Sequence, residues 1–210
     1  MKITKFHNDK GYSLIELVVV IAIMIAVVGV ITPMLYNGPS NKTKQDVETF
    51  NSMIGKNSVN SMAKQNRALE LGYDSTKNFY YVATGTLTTT GGAGSLNYTF
   101  TPDETRTFAE KDTVQYCYYS THEPAHSGEY LKHTEAGSLM TLDPGQKMYF
   151  RLDKTKGNFK PVIITSSTGS PIVDEGANEY VKYVYFNYEE KATRGCRLYK
   201  DTGKHDVFKE

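Results

Sequence analysis

Tryptophan is absent from this 210-residue chain, and cysteine occurs only twice. Two cysteines exclude a disulfide-dense scaffold, and nothing in their spacing builds a metal site. Cys117 and Cys196 either form one bridge, if the domain lies outside the cytoplasm, or remain two separate thiols. An excess of either charge is also missing: 24 Lys and Arg face 23 Asp and Glu, for a net charge of +1. So small a net charge does not draw in nucleic acid, and the chain shows neither a basic helix nor zinc-knuckle spacing. Strand–helix alternation is lacking too, which argues against a parallel, doubly wound sheet. No cofactor is expected. What the chain does have is tyrosine, 16 copies of it. Tyrosine suits strands and surfaces that are half apolar and half wet, so most of the chain reads as β-rich and water-facing.

Residues 1–11 are short and polar, with Lys2, Lys5 and Lys10 as their basic positions. An apolar run follows to Ile31 and then Pro33. A helix from Tyr12 to Tyr36 rises about 37 Å, enough to cross a hydrocarbon core of about 30 Å. Lysines before the run and none within it place the N-terminus in the cytoplasm and everything after Tyr36 outside. Residues 37–71 then read as an amphipathic continuation of the helix. Gly38-Pro39 breaks or bends it, Ser40 caps the new segment, and Gly72 ends it. Its helix proper runs from Asn41 to about Leu69. The stripe to be buried is Val47, Phe50, Ile54, Ser61, Met62, Gln65 and Leu69, interrupted by Gly55.

From Phe79 onward the period changes to two. Runs such as "FYYVATGTLTTT", "LNYTFT", "TVQYCYYS", "KMYFRLD", "PVIITS" and "EYVKYVYFNYEE" are β-branched and aromatic, separated by Gly, Pro, Asp and Asn. The stretches "TTTGGAGS" and "STGSPIVDEGAN" read as loops, and "YVKYVYFNY" as a central strand packed on the long helix. The expected fold class is α+β: a long N-terminal transmembrane or assembly helix, then an antiparallel β-sheet domain over residues 72–210.

One residue interrupts the apolar run. Glu16 lies among Leu14, Ile15, Leu17 and Val18, and a lone carboxylate in a bilayer costs about 2.5–3.5 kcal/mol on insertion scales. An ordinary secretory signal is cut after its core at a small-x-small site, yet "VITPMLYNG" offers none. The junction that stands out precedes the core, at Lys10-Gly11-Tyr12. From there, "KGYSLIELVVVIAIMIAVVGVITP" closely resembles the N-terminus of type IV prepilins and type II secretion pseudopilins. The resemblance implies a pilin-like fold, a cut after Gly11 by prepilin peptidase on the cytoplasmic side, and N-methylation of Tyr12. Tyr12 stands where the family usually has Phe. Glu16 becomes the fifth residue counted from Tyr12, where the family has its glutamate, and Pro33 falls where many members have a proline.

Physics supports the same expectation. Cleavage leaves an α-amino cation beside the apolar helix, and a charge in hydrocarbon is tolerated when paired. In a bundle, the Glu16 carboxylate of one subunit meets the amine at Tyr12 of a neighbour and sets the register, as a polar core residue does in a coiled coil. Glu16 at the headgroup level, favouring the helix dipole, is the plainer alternative. The implied partners are prepilin peptidase, the cytoplasmic membrane, and copies of this chain or related pilins.

Other motifs weigh less. "HEPAH", from His122 to His126, matches the H-E-x-x-H pattern of zinc metalloproteases, but Pro124 sits where that chemistry needs an unbroken helix. A surface loop is the reading there, with His133 nearby. "NKT" at Asn41 and "NYT" at Asn97 are treated as solvated polar positions. The expected role is thus non-enzymatic: a filament subunit of the membrane and then the cell surface. The rivals are an anchored surface-binding protein that never polymerises and an anchored hydrolase.

Overall fold

Proline at the start of a helix and alternating side chains in the strands fix most of the layout. In the computed structural model the described residues are 14–36, 38–92, 96–119, 139–189 and 192–209, with the side chains of 26–36, 175 and 192 outside that description. The chain divides into two units, residues 1–38 and 39–210.

In the first unit, helix α1 runs Leu14–Tyr36 over 23 residues, or about 34 Å at 1.5 Å per residue. Described side chains cover only about its first half, and among the described residues no helix is long and apolar enough to cross a membrane.

The second unit opens with helix α2, Pro39–Ala63. Pro39 occupies its first position, where a missing N–H costs nothing and the fixed φ suits a helix. Ser40 is therefore inside the first turn rather than the cap, and its Oγ accepts a hydrogen bond from Arg194 at 3.3 Å. Among the described residues, eleven strands follow in two antiparallel sheets. The first contains β1 (Arg67–Asp74), β2 (Phe79–Thr90), β3 (Asn97–Thr107), β6 (Lys147–Phe150), β7 (Ile163–Thr165) and β8 (Pro171–Val173), in the order β3-β2-β1-β6-β7-β8. The second contains β4 (Asp112–Tyr118), β5 (Met140–Thr141), β9 (Val181–Tyr188), β10 (Ala192–Leu198) and β11 (His205–Lys209), in the order β11-β10-β9-β4-β5. The architecture is α+β.

The main core forms where α2 meets one face of each sheet. Val47, Phe50 and Ile54 of α2 are fully buried against Leu69 and Leu71 of β1, Met148 of β6 and Val184 and Phe186 of β9. Phe50 is the hinge of this packing, with its ring 5.7 Å from that of Phe150 and 5.5 Å from that of Phe186. The strand "YVKYVYFNY" does sit centrally in its sheet, against α2.

Three expectations need correction. The helix ends at Ala63, and Leu69 and Gly72 belong to β1. "RALELGYD" is rich in helix formers, but β1 pairs with β2 along its whole length, so pairing overrides propensity. Met62 is exposed at 59% rather than part of the buried stripe. Finally, Pro171–Val173, inside an expected loop, pairs with β7 as a short edge strand.

Candidate functional site

Of the positions singled out in the sequence, Glu16 is the one whose side chain the structure describes at the N-terminus. It lies in the first turn of α1, where the helix dipole favours a carboxylate. The side chains around it face solvent: Leu14 is 82% exposed, Ile15 71% and Ile25 67%. Apolar residues surround this half of the helix on every side, the pattern of a helix made to be buried by something else. Pro33 lies within α1, near its end. Gly11 and Tyr12 fall outside the described residues, as do His122, Glu123, His126 and His133.

Cys117 and Cys196 are not bridged. Both flank β9, which separates β4 from β10: Cys117 pairs with Tyr183 and Cys196 with Val184. Two strand spacings, roughly 9–10 Å, lie between them, well beyond the ~7 Å limit for a disulfide. They also project to opposite faces. Cys196 joins the main core, whereas Cys117 packs with Tyr183 and Tyr185 on the far face.

The Cys196 thiol lies 3.6 Å from Oδ1 of Asn51, and Nδ1 of His205 lies 2.6 Å from the same oxygen. Cys, His and Asn in one cluster invite a nucleophilic reading, but the electrostatics run the other way. Burial pushes the thiol well above its ordinary range and pulls His205 below its own. A protonated thiol under a neutral imidazole is a structural hydrogen-bonding group, not an activated nucleophile.

A buried acid pair joins α2 to β4. Asp46 and Asp112 are only 7% and 6% exposed, and their carboxyl groups meet. Two adjacent carboxyls out of water cannot both ionise. Burial together with the Asp46 carboxyl pushes Asp112 up to about 9, and burial raises Asp46 as well. Asp112 therefore holds its proton into the neutral range, beside Asp46. Nearby, Lys42 donates to the Tyr188 hydroxyl at 2.9 Å, and Lys111 pairs with Glu189.

Sequence reasoning missed this pair and, on the buried face of α2, Thr43, Met53 and Asn57. The signal was present. Thr43, Val47, Phe50, Ile54, Asn57 and Ser61 recur at alternating spacings of four and three, and all six are buried. Val47, Phe50, Ile54 and Ser61 belong to the expected stripe, whereas the polar Thr43 and Asn57 do not.

Comparison with known proteins locates the recognisable part of the chain. A family model described as the prokaryotic N-terminal methylation motif matches residues 6–32, consistent with a prepilin or pseudopilin family. No curated protein and no solved structure matches the chain.

Proposed function

We propose that this chain is the structural subunit of a type IV pilus or a pseudopilus-like filament. It enters the membrane as a prepilin with its N-terminus in the cytoplasm, with residues 12–36 as the spanning helix. Prepilin peptidase cuts after Gly11, Tyr12 is N-methylated, and the subunit then polymerises through its N-terminal helix, carrying the unit after Gly38 outside. The observation that carries this reading is the methylation-motif match over residues 6–32.

The naked apolar flank of α1 supports it. Buried apolar surface is worth roughly 25 cal/mol per Å², so a helix exposed from Leu14 to Ile25 is driven first into lipid and then against like helices. Glu16 supplies register by pairing with a neighbour's α-amine. Pro33 offers no N–H to the Gly29 carbonyl, leaving one place where the packed helix bends at low cost.

Leader processing tests the reading. The peptidase must fit the residue before the cut closely, so Gly11→Val leaves residues 1–11 attached in a host that carries the peptidase. Intact mass reads the outcome, and normal trimming of that variant would count against a prepilin.

A further inference from the structure

A polar cleft of about 500 Å³ opens where the end of α2, the start of β1 and the segment between β6 and β7 converge. Five cationic side chains line it: Lys64, Arg67, Arg151, Lys154 and Lys160. Among the described residues that line it, none is acidic and none aromatic. In a chain of net charge +1 such a concentration of one sign is not an average patch of surface.

Part of this charge has a structural use. Lys64 and Arg67 follow the C-terminus of α2 and offset its dipole. Arg67, whose side chain is 3% exposed, pairs with Asp103 at 2.5 Å and donates to the Thr86 hydroxyl at 3.2 Å. Its buried Nε donates to nothing in the protein. Arg151 donates to the Pro161 carbonyl at 3.3 Å. The lysines are held less closely. Lys64, Lys154 and Lys160 are in no ion pair among the described residues. Asp153 accepts from the backbone N–H groups of Thr155 and Lys156 at 2.8 and 2.9 Å, and its charge also reaches Lys160, as that of Asp103 reaches Lys64.

Five cations against the two carboxylates nearby, Asp103 and Asp153, leave an excess of positive charge that suits an oxyanion with several acceptor oxygens. The other donors lining the cleft, from Gln65, Asn66 and Thr89, suit hydroxyl groups. Without an aromatic wall there is no platform on which a nucleobase stacks. The volume falls in the range of small-molecule sites. We infer that this cleft binds a phosphorylated sugar, either free or as a unit of an anionic glycan, with Lys64, Lys154 and Lys160 on the phosphate and the amides and hydroxyl on the ring. This site is independent of the filament role.

Calorimetric titration of the full chain in nonionic detergent micelles tests it, with glucose 6-phosphate, glucose, inorganic phosphate and a single-stranded oligonucleotide as probes. Glucose 6-phosphate should bind at least about tenfold more tightly than glucose or phosphate alone, and more weakly as salt rises. Lys154→Ala with Lys160→Ala should weaken it at least about tenfold, whereas Lys77→Ala with Lys209→Ala, the same charge removed elsewhere, should leave it unchanged. A phosphate-bearing polysaccharide that competes with glucose 6-phosphate identifies the glycan source, and its failure to compete leaves the free sugar phosphate. Equal affinity for glucose and glucose 6-phosphate, equal loss in both double variants, or tighter binding of the oligonucleotide through the same lysines would each overturn the assignment.

Discussion

Phe208 lies across Gly195, its cross-strand partner on the neighbouring strand. A Cβ at position 195 would come within 2.4 Å of the ring's Cζ. Because the glycine leaves that space, the Phe208 ring settles 5.4 Å from Tyr183 and 5.7 Å from Tyr185 and covers the far face of the second sheet. Gly195→Ala therefore forces the ring away from both tyrosines. Overpacking of this kind costs about 1–3 kcal/mol, and each kcal/mol shifts Tm by about 2–4 °C at this size. Thermal melting should show the drop, and Phe208→Leu in the same chain should recover part of it. An unchanged Tm in Gly195→Ala would mean that the ring is not seated on the glycine.

The Asp46–Asp112 pair makes stability depend on pH in a defined direction. Asp112 titrates higher folded than unfolded, so between about pH 4 and about 9 the folded state binds the extra proton. Its contribution is fully present at the acid end and is lost as pH rises through the folded value. Asp112→Asn keeps the size and polarity of the side chain without an ionisable group. Its Tm should exceed wild type at pH 8 by several degrees, and the two should converge near pH 4. Parallel Tm–pH curves would remove the Asp112 proton from the account.

Gly55 sits inside α2 with no tight neighbour. A Cβ there meets only the His205 ring, at 3.7 Å, which is ordinary contact. Glycine in a helix interior is worse than alanine by about 1 kcal/mol, so Gly55→Ala should raise Tm by about 2–4 °C. Calorimetry of the two proteins side by side measures it, and a lower Tm would show that the His205–Asn51 contact needs the glycine.

Glu16 separates a filament from a plain anchor. Glu16→Val should insert at least as well as wild type, because a costly charge leaves the apolar face, and the leader should still be cut. Assembly should fall sharply, since the neighbour's amine has lost its partner. Glu16→Gln keeps the shape and hydrogen bonding without the charge. Immunoblots of sheared surface fractions decide the matter. Wild-type filament yield from Glu16→Val, in a strain with no other copy of the gene, would sink the pairing mechanism.

The sequence by itself determined what depends on neighbours along the chain. The apolar run, the glutamate within it and the glycine before it are read in one local register, and the family model matches that same stretch. The aromatic, β-branched runs from Phe79 to Tyr188 announced strands because alternation is also local. Tertiary structure decided the rest. Residues 67–74 carry helix formers and become a strand only because β2 and β6 pair with them on either side. Cys117 and Cys196 are kept apart because β9 runs between them, which no spacing reveals. Asp46 meets Asp112 across 66 positions of chain, and the lysines of the basic cleft arrive from segments about ninety residues apart. Local patterns record which face a residue presents to a core. Which residues meet across that core depends on how sheets and helix pack, because only closure of the fold brings distant charges out of water and next to one another.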